Sequence, residues 1–326
     1  MINYCLKRLL LLIPVILGIT LFVFLIVHLI PGNPALVILG SDASAAQVAQ
    51  LNHQLGLDQP LWQQFFSYVG QLAHGDLGTS LTQHQSVSSL IGFAFPNTVE
   101  LAIAGMIITL LIGIPLGVAS AVYRNSILDY AAMALAQLGT SMPVFWLGTL
   151  LVQILALDLG LFPSFGIGPA LGPAFSSLAS GDSGPLSALF SHLLLPALTL
   201  GLSGVGVVTR MVRSAMIEAL GQDYIRTARA KGLKRRFIIW RHALRNGLLT
   251  VITIIGLQFG YLLGGAVIVE TIFAWPGLGR LAVNAILARD FPVVQGCVLV
   301  IALMFAIVNL VVDLAYGLVN PRIRLQ

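Results

Sequence analysis

Residues 223–246, DYIRTARAKGLKRRFIIWRHALRN, hold almost half of the positive charge of an otherwise apolar chain. Eight of the 17 Lys and Arg residues of the whole chain lie in this stretch: Arg226, Arg229, Lys231, Lys234, Arg235, Arg236, Arg241 and Arg245. Only 9% of the 326 residues are charged, 57% are hydrophobic, and the mean hydropathy is +0.94. So few charges cannot cover a water-facing surface, which indicates a membrane protein and excludes a basic nucleic-acid-binding domain.

The apolar residues outside this stretch fall into six segments, each long enough to cross the roughly 30 Å of hydrocarbon in a bilayer. They are residues 9–30, 97–122, 130–155, 191–212, 248–269 and 298–319. Proline inside four of them, at Pro14, Pro115, Pro143 and Pro196, predicts kinks. We therefore expect an all-α membrane protein with six transmembrane helices, in which residues 1–326 form one transmembrane domain.

The distribution of Lys and Arg predicts the orientation, since positive loops are retained in the cytoplasm. With the N-terminus inside, only Arg280 and Arg289 fall on the outer side. Both termini are then cytoplasmic. Residues 31–95, which contain no Lys or Arg, form an extracytoplasmic cap, and residues 213–247 form a cytoplasmic loop.

Local patterns predict some structure in the outer segments. Ser44 is a candidate N-cap for a helix over 44–55, and Pro60 opens another apolar-periodic stretch. Residues 164–190 are rich in Gly, Pro, Ser and Ala and predict a flexible loop. A short helix is expected over 284–288.

Within the basic stretch, the first of two predicted helices starts with Asp223 as N-cap and ends at Gly232. Ile225 and Ala228 lie on the same face as Gly232, and Arg226 lies on another.

The second helix is expected to begin near Lys234. Phe237, Trp240 and Leu244 then form an apolar face. Two hypotheses fit this amphipathic pattern. The stretch either rests on anionic lipid at the membrane surface or docks in a groove of a cytoplasmic partner protein. The small residues Ala228, Ala230 and Gly232 are compatible with close approach to a protein surface.

The stretch resembles the cytoplasmic loop of membrane subunits of importer-type ABC transporters. Of that family's general pattern E-A-A, three residues, G, nine residues, I-x-L-P, only Ala228, Gly232 and Leu244 match. The peptide/nickel subgroup, however, carries D-Y-[IV]-R-T-A-R-A-K-G-L and R-H-A-L-R-N-A, to which the chain is nearly identical. Further similarity to the B-type permease of this subgroup lies in residues 24–35, 55–65, 75–80, 192–202, 264–281, 289–296 and 320–324.

The resemblance implies a permease that forms half of a translocation pathway in the cytoplasmic membrane of a bacterium or archaeon. Its implied partners are a second, similar permease, two ATP-binding subunits and an extracytoplasmic substrate-binding protein, besides membrane lipid. The implied substrates are dipeptides, longer peptides, glutathione or nickel complexes. The implied ATPase-coupling residues are Asp223, Tyr224, Arg226, Thr227, Ala228, Arg229, Ala230, Lys231, Gly232 and Leu244.

The sequence itself excludes ATP binding by a phosphate-binding loop in this chain. A phosphate-binding loop needs Gly-Lys-Ser/Thr, and none of Lys7, Lys231 and Lys234 follows a glycine. ATP and Mg²⁺ would therefore be bound by partner subunits. We expect no cofactor and no enzymatic activity in this chain, since no nucleophile, acid and base are arranged for catalysis.

Three acidic residues within or beside predicted spans are candidates for a pathway or structural role: Glu100, Glu270 and Asp313. Solvation at the outer interface is the alternative for the two glutamates, and a structural ion pair with an arginine is the alternative for Asp313. An ion-coupled secondary transporter using these acids is the competing function. The histidines of the outer side form no close pair, so no metal site is expected.

Overall fold

The computed structural model describes residues 2–29, 34–40, 43–54 and 56–319. Helices make up its regular structure: α1 (Ile2–Leu29), α2 (Pro34–Leu39), α3 (Ala45–Gln54), α4 (Leu61–Ala73), α5 (Val87–Val122), α6 (Ile127–Ser141), α7 (Val144–Leu151), α8 (Leu171–Ala179), α9 (Gly184–Leu220), α10 (Asp223–Ala230), α11 (Arg235–Phe237), α12 (Leu244–Ile272), α13 (Leu278–Leu287) and α14 (Phe291–Val319). Two segments are π-helical, Val152–Asp158 after α7 and Ile238–Ala243 after α11.

The predicted all-α membrane fold is confirmed. Among the described residues, four helices are long and apolar enough to cross a membrane, namely α5, α9, and the stretches Ile254–Ile272 of α12 and Phe291–Val312 of α14. A fifth crossing is present if α6 and α7 with its π-helical extension count as one. In α1, the described apolar stretch Ile13–Leu25 is shorter than a full crossing. Six crossings and the orientation of the termini stay predictions.

The third predicted span is not one straight helix. Its two halves, Ile127–Ser141 and Val144–Asp158, meet at an angle of 102°. Pro143 has no N–H to donate, and it forces Met142 into an extended conformation with φ −77° and ψ 132°. The helices around Pro14, Pro115 and Pro196 continue without a break, so only one of the four prolines ends a helix.

Of the local predictions outside the spans, the N-cap of α3 is confirmed, and two others are wrong in part. Ser44 caps α3, since its Oγ accepts from the N–H of Gln47 at 3.3 Å and its own N–H donates to Oε1 of Gln47 at 2.9 Å. This reciprocal pair is a capping box. Residues 164–190 are not a loop throughout, because they contain α8 and the start of α9. The helix predicted over 284–288 begins six residues earlier, as α13.

The chain divides into two compact units. The first contains Met1–Thr98 and Pro276–Ile307, and the second contains Val99–Trp275 and Val308–Gln326. In the first unit, the buried carboxylate of Asp290 fixes a loop ahead of α5. It accepts from Ser80 Oγ at 2.5 Å, from Thr82 Oγ1 at 2.8 Å, and from the N–H groups of Leu81 and Thr82 at 3.1 and 3.2 Å.

In the second unit, α9 is the central helix and packs against α6 and α12. Small residues allow close approach: a Cβ at Gly201 would lie 2.6 Å from the carbonyl oxygen of Gly105 in α5. Thr109 Oγ1 of α5 donates to the Gly201 carbonyl at 2.7 Å. Such contacts between small residues replace the hydrophobic effect, which cannot hold helices together in lipid.

We predict that Gly206→Ala destabilises the protein, because the added Cβ would lie 2.5 Å from the carbonyl oxygen of Ala136 in α6. Overpacking of this kind costs about 1–3 kcal/mol. Gly264→Ala in α12 is the matched control, since its Cβ would meet nothing within 4 Å. Thermal unfolding in detergent measures both, and an unchanged midpoint for Gly206→Ala would contradict the tight contact of α6 with α9.

A pH-dependent stability is expected from Asp290. Burial raises the pKa of its carboxyl group, but the hydrogen bonds from Ser80, Thr82 and the backbone outweigh burial and hold the pKa below its usual value. The stabilisation is therefore present above the ordinary carboxyl pKa of about 3.9 and is lost as pH falls through the lower folded value. Thermal midpoints of the protein and of Asp290→Asn should differ at pH 7 and converge in that acid range. The exposed Asp158→Asn is the control.

Candidate functional site

The basic segment 223–246 folds as α10, a turn, α11 and a π-helical stretch that runs into α12. Asp223 is the first residue of α10 and not its N-cap, which is Gln222 and makes no side-chain cap bond. The carboxylate of Asp223 contacts Arg226 at 3.2 Å instead. Gly232 ends the helix as predicted, with φ of +72°, a left-handed conformation that glycine adopts without steric cost.

One face of α10 is buried within the chain itself. Ile225 is 0% and Ala228 is 7% exposed, and both belong to a core cluster with α9 residues, among them Met216 and Ala219. Leu244, at the start of α12, is buried in the same cluster. Ala228 and Leu244 therefore fix the segment from inside, although the sequence motif groups them with the coupling residues.

The opposite face of α10 and the turn after it are exposed. The exposed members of the predicted coupling set are Asp223, Tyr224, Arg226, Thr227, Arg229, Ala230, Lys231 and Gly232. Asp223 is the one acidic residue of 223–246, so most of this positive charge has no counterion within the segment. Such a surface can bind a partner that offers carboxylates.

The second half of the segment differs from its predicted apolar face. Phe237 and Trp240 are 43% and 54% exposed, whereas Leu244 is buried. A regular α-helix would align these three side chains, but the π-helical stretch Ile238–Ala243 bonds i to i+5 and shifts the later residues around the axis. Arg241 lies over the ring of Phe237, with its guanidinium carbon 5.5 Å from the centroid. The exposed rings add an apolar patch beside the basic face.

Two contacts that the sequence did not indicate lie in or near this segment, one made by the segment itself and one between α9 and α6. Arg235 lies 5.6 Å from the ring centroid of Tyr123, in the turn between α5 and α6. Arg213 of α9 forms an ion pair with Asp129, in the first turn of α6. In the sequence, Asp129 follows Ser126 with the spacing of an N-cap. This pattern predicts the start of a helix but does not predict a partner far away in the chain.

The three acids predicted within or beside spans have different environments. Glu100 in α5 is partly buried, and its Oε1 has no hydrogen-bond partner among the described residues. Glu270, near the end of α12, is fully buried. Asp313 lies in α14, but its side chain is outside the described residues.

The described histidines do not converge on a metal. His28 and His74 donate to the carbonyls of Phe24 and Gly70, both at 2.8 Å, and His53 pairs with Asp58 at 2.6 Å. Within the part of the chain that the structure describes, no group of three or more His, Cys, Asp and Glu side chains is placed to hold a metal ion.

The sequence matches two families along most of its length. Residues 113–325 match the family described as binding-protein-dependent transport system inner membrane component, and residues 1–102 match its N-terminal counterpart. The chain is 46% identical over 336 residues to the dipeptide transport system permease protein DppB of Escherichia coli K12, covering 99% of each protein. It is 45% identical over 324 residues to the glutathione transport system permease protein GsiC of Salmonella typhimurium, again covering 99% of each.

The fold is also that of a solved transporter. An inward-facing structure of the MetNI methionine ABC transporter superposes with a TM-score of 0.56 at 17% identity, covering 71% of this chain and 96% of the matched chain. These matches support an importer permease over an ion-coupled secondary transporter. The chain belongs to the family of binding-protein-dependent transport system inner membrane components, as a multi-pass permease subunit of an ABC importer.

Proposed function

We propose that this permease imports peptides or related small solutes, with glutathione and nickel complexes inside the range of the scaffold. Relatives that cover 99% of the chain include permeases named for dipeptide and glutathione transport. The chain would form half of the pathway, and a second homologous permease would form the other half. An extracytoplasmic binding protein would deliver the substrate, and two ATP-binding subunits would bind ATP and Mg²⁺.

The coupling role is supported by the different environments of the two faces of α10, one buried and one exposed. Its apolar residues Ile225 and Ala228 pack on α9, so a displacement of α10 must displace the end of that long helix. Its exposed residues Arg226 and Arg229 point away from this core and remain available to a partner. The helix is thus held on one side by its own chain and offers the other side for docking.

The same environment argues against a lipid-bound α10. A helix lying on a membrane buries its apolar face among the acyl chains. In α10 that face is already covered by α9, and the outward face is charged. Within the basic segment, lipid contact is therefore expected at α11 and the π-helical stretch, where Phe237 and Trp240 are exposed.

The energy source distinguishes this proposal from ion-coupled transport. Proteoliposomes holding the complete importer should take up a dipeptide when ATP is supplied and proton and sodium gradients are collapsed. Uptake that persists without ATP and follows an imposed ion gradient would overturn the proposal.

Crosslinking tests the docking surface directly. A photoreactive side chain at exposed Ala230 should capture an ATP-binding subunit in native membrane vesicles. The same group at Ala228, which is 7% exposed, should react mainly within its own chain. Capture of phospholipid alone from Ala230 would contradict the assignment of α10 to an ATP-binding partner.

Gly232 provides a second test of the segment. No atom lies within 4 Å of a Cβ added there, so its requirement for glycine comes from the backbone and from any docked partner. Gly232→Ala should destabilise the turn by about 1–2 kcal/mol, which is the cost of a left-handed conformation for a residue with a Cβ. Gly232→Asn should destabilise the turn less, because asparagine adopts this conformation more readily. Gly232→Glu should insert in the membrane normally yet fail in ATP-driven uptake. Co-purification of ATP-binding subunits and transport assays measure the three variants, and normal transport by Gly232→Glu would exclude docking at this turn.

A further inference from the structure

Four donors from three parts of the chain meet the buried carboxylate of Asp129. Arg213 of α9 donates from Nε to Oδ1 at 2.9 Å and from Nη2 to Oδ2 at 2.7 Å. The hydroxyl of Ser120 in α5 donates to Oδ1, and the N–H of Asn125 donates to Oδ2 at 2.9 Å. The two-point pairing with Arg213 fixes the angle of α6 to α9 as well as their distance.

Further along the same pair of helices, the contact is made by backbone atoms. A Cβ at Gly206 of α9 would lie 2.5 Å from the carbonyl oxygen of Ala136, and one at Gly139 of α6 would lie 2.5 Å from that of Leu202. Sliding of one helix along the other would bring these groups into collision. The ion pair therefore closes one end of a tightly packed helix pair.

The Arg213 end of α9 is also the end that bears α10. Only two residues, Gly221 and Gln222, separate the helices. Val212 and Met216, on either side of Arg213 in the sequence, belong to the cluster that buries Ile225 of α10. A force on α10 thus reaches the helical turn that carries the arginine.

At its other end, α6 stops at the 102° bend that precedes α7. Pro143 removes a backbone hydrogen bond there, so the angle between α6 and α7 is not held by a continuous helix ladder. Movement of α6 can therefore be accommodated at one defined place in the broken span.

We propose that Asp129 and Arg213 are positioning residues of the transport cycle, whose ion pair makes α6 follow α9 when the ATP-binding subunits displace α10. This inference rests on the proposed coupling function, but it concerns different contacts. The carboxylate of Asp129 is costly to desolvate because its side chain is only 3% exposed, while that of Arg213 is 27% exposed, and apolar side chains could have joined α6 to α9 more cheaply. The ion pair, unlike apolar contacts, bonds in fixed directions, and this property lets a movement of α9 be passed on to α6.

A distance measurement tests the inference in the unaltered ion pair. Spin labels on Leu128→Cys and Ser214→Cys, both exposed, would report the spacing of α6 and α9 in the complete importer, with Cys5 and Cys297 replaced. A second label pair at exposed Leu135 and Phe145 would report the bend. Between the nucleotide-free and vanadate-trapped states, the first distance should stay constant and the second should change.

Either of two results would overturn the proposal. A change in the 128–214 distance would show that α6 and α9 separate during the cycle. A constant 135–145 distance would show that the bend does not flex. ATP-binding subunits that fail to co-purify with the chain would refute the proposed function itself. Co-purification with a changing 128–214 distance would refute only the role of the ion pair.

Substitutions give an independent readout. Asp129→Asn should lower uptake and substrate-stimulated ATP hydrolysis by about tenfold, while basal hydrolysis and co-purification persist, because coupling and not assembly is lost. Arg213→Lys should recover part of the activity that Arg213→Gln loses, since lysine keeps the charge without the two-point geometry. Wild-type uptake by Asp129→Asn would overturn the inference.

Two further variants separate the ion pair from general damage to α9. Arg210→Gln is the matched control, since Arg210 also bonds to α6, through the neutral side chain of Gln137. It should transport normally. The exchange of Asp129 and Arg213 for each other should not restore transport, because the Ser120 and Asn125 donors would then face a guanidinium. Equal loss in Arg210→Gln would contradict a specific role for the pair.

Discussion

Close contact between α9 and its neighbours is the constraint on which the second unit depends. Lipid offers no hydrophobic drive for helices to associate, so contact must come from dispersion and polar bonds at short range. Glycines at 201 and 206 bring α9 against α5 and α6, and Thr109 bonds to the carbonyl of Gly201 across the gap. Because α9 continues almost directly into α10, the position of the basic segment is set by this packing.

Much of this architecture could be predicted from the sequence, because apolar length and charge asymmetry act over whole segments. The helices over 97–122 and 191–212 were predicted, although α5 and α9 extend well beyond those limits. Ile225 and Ala228 are buried on one face, where helical periodicity places them, whereas Gly232 ends the helix as predicted but is exposed and not on that face.

Other features depend on information that periodicity does not contain. The separation of exposed Phe237 and Trp240 from buried Leu244 coincides with the π-helical stretch Ile238–Ala243, which changes the angular spacing that the prediction assumed. Pro143 ends a helix whereas Pro196 does not, because the surroundings decide whether a freed carbonyl is tolerated. The pairing of Asp129 with Arg213 joins residues far apart in sequence, and no local pattern encodes it.

The lengths of the two principal helices have a consequence for how this permease sits in different lipids. At 1.5 Å per residue, the 36 residues of α5 and the 37 of α9 each extend about 55 Å, well beyond the roughly 30 Å of hydrocarbon. Several helical turns must therefore stand outside the acyl region. A modest change in bilayer thickness would therefore change which turns of α5 and α9 contact acyl chains, while both helices remain long enough to cross the bilayer.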